Sequence, residues 1–214
     1  DRYRPSRRFR RGRLPARRNC EAPVKLGLLS VTPAAAVPDR QPTLDTARAR
    51  GGRAHAEVLG FGASQTVNRE KRNLEPDPEG RGIELAIRAA LREAQLEPGD
   101  IDLVMPFAPG VPSYDQPEAA ALARVFGEHL SRVILSNAKA LIGSCGAGAS
   151  GIELCIAAWA LSTGQPPPPL TCESPLAAIA HAGTTPPTEL RHALTITTSL
   201  GGQNAAIVLG RADV

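Results

Sequence analysis

The sequence predicts an α/β layered domain whose largely parallel sheet closes in a hairpin. Three observations carry this. Short apolar runs alternate with amphipathic stretches in the order β-α-β-α-β-α-β-β, a pattern that puts parallel strands in one sheet with helices on its faces. Most of these runs are bounded by Gly, Pro, Asn or Asp turn signals. Apolar residues make up 42% of the 214 residues and aromatics only 3%. The core must therefore be built from Ala, Leu, Ile and Val, and the chain is long enough for one ordinary domain.

Taken in order, "AHAEVLGFGAS" predicts a strand from about Ala54 to Gly62. "VNREKRNLEPDPEGR" is polar and contains proline, so it is a loop. "GIELAIRAALREAQL" predicts an amphipathic helix with Ile83, Leu85, Ile87, Ala90 and Leu91 on one side, stopped by "EPGD". Ile101 to Phe107 is a short apolar run that fits a buried strand. "PEAAALARVFGEHL" predicts a second helix started by Pro117, and "RVILSN" a further short strand. "GAGASGIELCIAAWALSTG" predicts a third helix, ending near Gly164 before the prolines at Pro166 to Pro169. "HALTITTSLGGQNAAIVLG" closes the chain as two strands joined by a glycine turn. No internal repeat is visible.

Charge divides the chain in two. Residues 1–20 hold nine of the 25 basic residues and one of the 21 acidic ones, so the remainder carries 16 against 20, a net −4. The overall +4 and the pI of 9.2 thus belong to the tail. A basic tail can contact phosphates, but no nucleic-acid-binding motif follows it, so a solvated end is expected. Residues 1–50 form a basic, poorly ordered segment in this reading, and residues 51–214 the folded domain. No apolar run reaches the roughly 20 residues that a bilayer crossing needs, and no apolar segment follows the basic start as a secretory signal would require.

Cys20, Cys145, Cys155 and Cys172 form no CxxC pair and no zinc spacing, so neither a metal nor another cofactor is expected. Free thiols and a cytoplasmic location are the default. His55, His129, His181 and His192 are scattered. Cys145 precedes a helix N-terminus, where a thiol pKa falls. A nucleophilic cysteine also needs a base, and no histidine is near it in sequence. Its glycine-rich surroundings favour a small buried residue in a tight helix–strand contact. Lys139 is one of three lysines among 22 arginines. It follows "VIL" at the expected C-terminal edge of the sheet, where open α/β folds bind ligands; a buried structural ion pair is the alternative. "PFAPGVPSYDQPE" is a loop leaving a buried strand, a place that carries function in such folds. "SLGGQNAA" is either an anion-binding turn or a plain hairpin.

"AEVLGFGAS", "ALREAQLEPGDIDLV", "GVPSYDQPEAAALARVFG", "SNAKALIG" and "SLGGQNAAIVL" occur in an order and spacing that together resemble the C-terminal half of a β-ketoacyl-ACP synthase of the thiolase fold, from about Gly52 to Gly210. The resemblance implies a layered fold with a mixed sheet flanked by helices. It implies acyl transfer and condensation in fatty-acid or polyketide synthesis, using a cysteine, two histidines and a lysine. It further implies an acyl carrier protein as partner, and a homodimer or a heterodimer with a ketosynthase subunit. The family cysteine lies in the other half, so Cys145 is not its match. Lys139 matches the family lysine. Phe107 and Ser144 stand where the family has its two histidines. Gly201, Gly202 and Asn204 match the closing family motif, and Leu200 replaces a loop aromatic that gates the acyl pocket. Phe has no proton to transfer and no hydrogen bond to donate, so decarboxylative condensation is expected to be lost. The resemblance thus leaves two readings: an impaired synthase, or a non-catalytic partner like a chain-length factor. A half alone would also expose an apolar helical face, favouring aggregation or dimerisation. The Arg-rich residues 1 to about 40 replace a conspicuous family segment, and a frameshift or mispredicted start is expected to be their source.

Overall fold

The structure, a computed structural model, describes residues 26–28, 49, 51–52, 54–71, 74–168, 175–180, 182–184 and 189–212. Lys25, Cys172, His181 and all of residues 1–20, Cys20 and the basic tail included, lie outside the described residues.

Among the described residues, one six-stranded sheet carries the fold. Its strands are β1 (Leu26–Leu28), β2 (Ala56–Gln65), β3 (Leu103–Met105), β4 (Ile134–Leu135), β5 (His192–Ser199) and β6 (Gln203–Arg211). The helices are α1 (Arg81–Ala94), α2 (Pro112–Phe126), α3 (Lys139–Ile142) and α4 (Ala149–Thr163). Strand order is β1-β2-β6-β5-β3-β4. β3 pairs parallel with both β5 and β4, while β1–β2, β2–β6 and β5–β6 are antiparallel. The expectation of a largely parallel sheet is corrected here: the sheet is mixed. Strands β2, β3, β4 and β5 do share one direction, as strand–helix alternation requires. The hairpin's return strand β6 runs against them and lies between β2 and β5, which turns both of those pairings antiparallel. Within the segment expected to be poorly ordered, Leu26–Leu28 adds an edge strand to β2.

Each face of the sheet has its own core. On one face, Ile83, Ala86, Ile87, Ala90 and Leu91 of α1 and Leu122, Val125 and Phe126 of α2 pack on Leu194, Ile196, Ala206 and Val208. On the other, Ala157, Ala158, Ala160 and Leu161 of α4 pack on Leu103, Met105, Ile134, Ala193 and Leu209. Two strand glycines permit the α1 contact. A Cβ on Gly60 or Gly62 would overlap the carbonyl oxygens of Ala90 and Ala86 respectively.

Several sequence expectations are corrected in detail. Leu85 is 57% exposed rather than on the buried side, because two residues past Ile83 turns about 200° around a helix. The second helix begins at Pro112, not Pro117. Pro112 takes the first helical position, where a fixed φ and a missing N–H cost nothing, and Pro117 sits inside the helix, forgoing one backbone bond. That helix stops at Phe126, and Gly127–Arg132 is a 3-10 segment. The first long strand is shifted toward its C-terminus, ending at Gln65.

Charge ties the outer helices together. Glu84 of α1 accepts from Arg88 Nε at 2.9 Å and from Arg124 Nε of α2 at 2.7 Å. The Arg124 bond, with Arg88 behind it, outweighs burial and holds the Glu84 carboxyl below the usual carboxylate range. A group with a depressed folded pKa adds stability above its unfolded pKa and loses it as pH falls through the folded value. Glu84→Gln is therefore expected to cost about 1 kcal/mol or less near neutrality. The difference should vanish in urea unfolding below the usual carboxylate range; a constant difference at all pH values would contradict this.

Candidate functional site

The segments that follow the C-terminal ends of β3 and β4 meet at one buried cluster. Lys139, at the start of α3, donates from Nζ to Glu153 Oε1 at 2.5 Å, and the two side chains are 5% and 1% exposed. The Phe107 ring, in the loop after β3, lies 5.0 Å from the same Nζ, close enough for a cation–π contact. Tyr114 stands 5.9 Å from Phe107, ring centre to ring centre. Asn137 fixes the lysine's backbone, its Oδ1 accepting from Lys139 N at 2.8 Å.

The loop itself is held from below. Glu118 of α2, buried at 3% exposure, accepts from the backbone N–H of Phe107 at 2.7 Å and of Ala108 at 2.8 Å. Asn137 Nδ2 donates to the Ala108 carbonyl at 2.6 Å. Ala108 has a φ of 29°, a left-handed conformation uncommon outside glycine. Burial pushes the Glu118 carboxyl up to about 7, against the two backbone bonds and Lys139. Burial also raises Glu153, opposed by Lys139, and Glu153 Oε2 is buried without a partner.

The structure brings Phe107 and Lys139 together and leaves the other candidate residues elsewhere. Ser144 and Cys145 are exposed in the link between α3 and α4. The expectation of a tight contact around Cys145 is corrected: added Cβ atoms on Gly146, Gly148 and Gly151 would meet nothing within 4 Å. Cys145 and Cys155 are both free and exposed. Leu200 is 66% exposed at the hairpin tip, where Gly201 and Gly202 take φ values of 90° and 72°, as a tight turn requires. Asn204 is buried and structural in its contacts: it donates to the Gly202 carbonyl at 3.0 Å and accepts from Thr198 Oγ1 at 3.1 Å. The described histidines lie apart from Lys139 in the chain and in their contacts. His55 Nδ1 is 3.3 Å from Ser162 Oγ, His192 Nδ1 is 2.9 Å from the Asp100 carbonyl, and His129 lies beside Gly99. Among the described residues no group of three or more His, Cys, Asp or Glu could hold a metal ion, and no helix is long and apolar enough to cross a membrane.

Two residues escaped the sequence reading: Glu118 and Glu153. A signal existed for the second. Glu153 is the only charged residue from position 140 to 172, just after Lys139, and a lone acid in an apolar helix must be paired if it is buried.

Comparison with known proteins follows the same outline. Residues 55–173 match the family described as "Beta-ketoacyl synthase, C-terminal domain". The chain is 30% identical over 132 residues to a 3-oxoacyl-[acyl-carrier-protein] synthase 2 of Coxiella burnetii, covering 62% of this chain and 31% of that protein. It is 32% identical over 176 residues to the actinorhodin polyketide putative beta-ketoacyl synthase 1 of Streptomyces coelicolor, covering 79% and 36%. Among solved structures it is similar to the ishigamide ketosynthase/chain length factor, at 27% identity and a TM-score of 0.68, covering 79% of this chain and 41% of that one. The ketosynthase of a type II complex with its acyl-carrier protein shares the fold, with a TM-score of 0.71 at 19% identity, covering 80% and 42%. The chain thus spans about a third to two-fifths of the length of these relatives.

Proposed function

The chain belongs to the β-ketoacyl synthase family, as a C-terminal half, and from that premise we propose that it serves fatty-acid or polyketide assembly as a subunit that does not itself condense. The observation that carries this is the covered lysine. Condensation needs donors aimed at the thioester oxygen as its charge develops, and a group that can exchange protons. At Lys139 the ammonium is held by Glu153 and covered by Phe107, and a phenyl ring supplies neither function. Ser144 can donate a hydrogen bond, but it is exposed and remote in the chain from Phe107.

The partner in this reading is an active ketosynthase subunit in the cytoplasm, charged by an acyl carrier protein. One surface supports it. Gly148, Gly151, Ile152, Cys155, Ile156 and Trp159 form an apolar strip on the outer side of α4, with Trp159 51% exposed. That strip is where the remainder of a full-length synthase body would pack, since exposed patches of this kind mark interfaces. The Gly201–Gly202 turn, with Leu200 at the tip, would then border the acyl channel, and Asn204 would hold that turn through its bond to the Gly202 carbonyl.

The test is assembly with a type II ketosynthase subunit whose nucleophilic cysteine is replaced by alanine, supplied with acyl- and malonyl-carrier protein. The expected result is co-purification and no β-ketoacyl product, with product returning when the active subunit is used. Condensation by the assembly that holds the disabled subunit would overturn the proposal.

A further inference from the structure

The loop between β3 and α2 is constrained more than its length requires. Three contacts fix two consecutive residues: both Glu118 oxygens accept backbone N–H groups, and Asn137 takes the Ala108 carbonyl. They hold Ala108 at φ 29°, a strained geometry that persists only where surroundings impose it. Beneath the loop lies a cavity of about 510 Å³, lined in part by Pro106, Ala108, Gly110, Asp115, Glu118 and Leu122. The loop thus has a latch, a reason to move, and space to enter.

We infer that Pro106–Gly110 is a two-position strap, latched by Glu118, which opens when Glu118 takes a proton from solvent and so uncovers the Lys139–Glu153 pair. The chemistry is simple. A carboxylate accepts on both oxygens, whereas a carboxylic acid donates from one of them. On protonation, the Phe107 or the Ala108 N–H loses its acceptor, and Ala108 relaxes out of the left-handed region. Phe107 moves with it, away from Lys139. Among the described residues, the charged groups facing this latch are Asp115 one turn earlier on α2, Lys139 on α3, and Glu153 on α4 through Lys139. The described part of the segment across the cavity, Pro175 to Thr184, carries no charge. Burial places the Glu118 transition near neutrality, at about 7, within reach of ordinary conditions.

The sign of the stability change separates this device from acid unfolding. A carboxyl whose folded pKa is raised takes up its proton first in the folded state, so global stability rises as pH falls from about 7 toward about 4.5. The strap opens while the fold tightens. The experiment is amide NMR and hydrogen exchange on the full chain between about pH 8.5 and about pH 5.5. Phe107 and Ala108 amide shifts should titrate together with the Glu118 side-chain carboxyl carbon, and their protection should fall by about tenfold, one hydrogen bond's worth. Glu118→Gln should show low protection at these two amides at every pH and no titration. Equal protection at both pH extremes in the wild type would overturn the inference, and so would an unchanged titration in Glu118→Gln. If that variant does not fold, the wild-type carbon and amide titrations decide alone: different midpoints sink the latch. None of these readouts depends on whether the chain condenses.

Discussion

Lys139→Met alone is expected to lower unfolding stability by about 3–5 kcal/mol, the usual cost of leaving a buried charge uncompensated. Glu153 would remain at 1% exposure with neither oxygen paired, since Oε2 already lacks a partner. The double variant Lys139→Met/Glu153→Leu should recover most of the loss, because replacing both members of a buried pair with apolar groups is often neutral or stabilising. Urea unfolding of the two single variants and the double gives the cycle. If the double variant is no better than the single ones, the pair is not what the lysine contributes. The result also bears on function. A lysine kept for chemistry would be tolerated structurally when removed, whereas one that closes an ion pair under a phenyl ring would not.

Gly62→Ala is expected to cost about 3 kcal/mol or more, the upper range of overpacking. The added methyl would overlap the Ala86 carbonyl oxygen, which belongs to rigid helix backbone and cannot swing aside. Separation of α1 from β2 would open the core around Ile83, Ile87 and Val208. Gly151→Ala provides the contrast. It lies in α4, where an added Cβ meets nothing within 4 Å, so the variant should gain up to about 1 kcal/mol from helix propensity. Equal midpoints for both variants in denaturant would show that α1 does not sit as closely on the sheet as described.

The layered α/β plan was legible because strand–helix alternation is a local property, and local periods survive in sequence. The hairpin was legible from "LGG" between two β-branched runs. Strand neighbours were not legible in the same way. Nothing near Gln203–Arg211 says that β6 will pair with residues about 140 positions earlier. At the site, Lys139 stood out by rarity, and Phe107 by the resemblance of its surroundings to a family motif. Their contact did not stand out, because it depends on two loops from different strands. Glu118 was read both as the end of a proline-rich loop and as the second residue of a helix, and neither reading shows that it is buried. Its role as a buried anchor depends on the Phe107 and Ala108 amides that it meets, which belong to another segment of the chain.

The position of β6 has a consequence for how the chain is made. It is the last of the described strands in order of synthesis, yet it joins β2 to β5 near the middle of the sheet. Until residues 203–211 leave the ribosome, the β1–β2 edge and the β3–β4–β5 group share no strand pairing. Each waits with an unpaired edge, a template for pairing with neighbouring chains. Translation stopped between Ser199 and Gln203 would therefore leave two sheet fragments with no strand between them, not a slightly shortened domain.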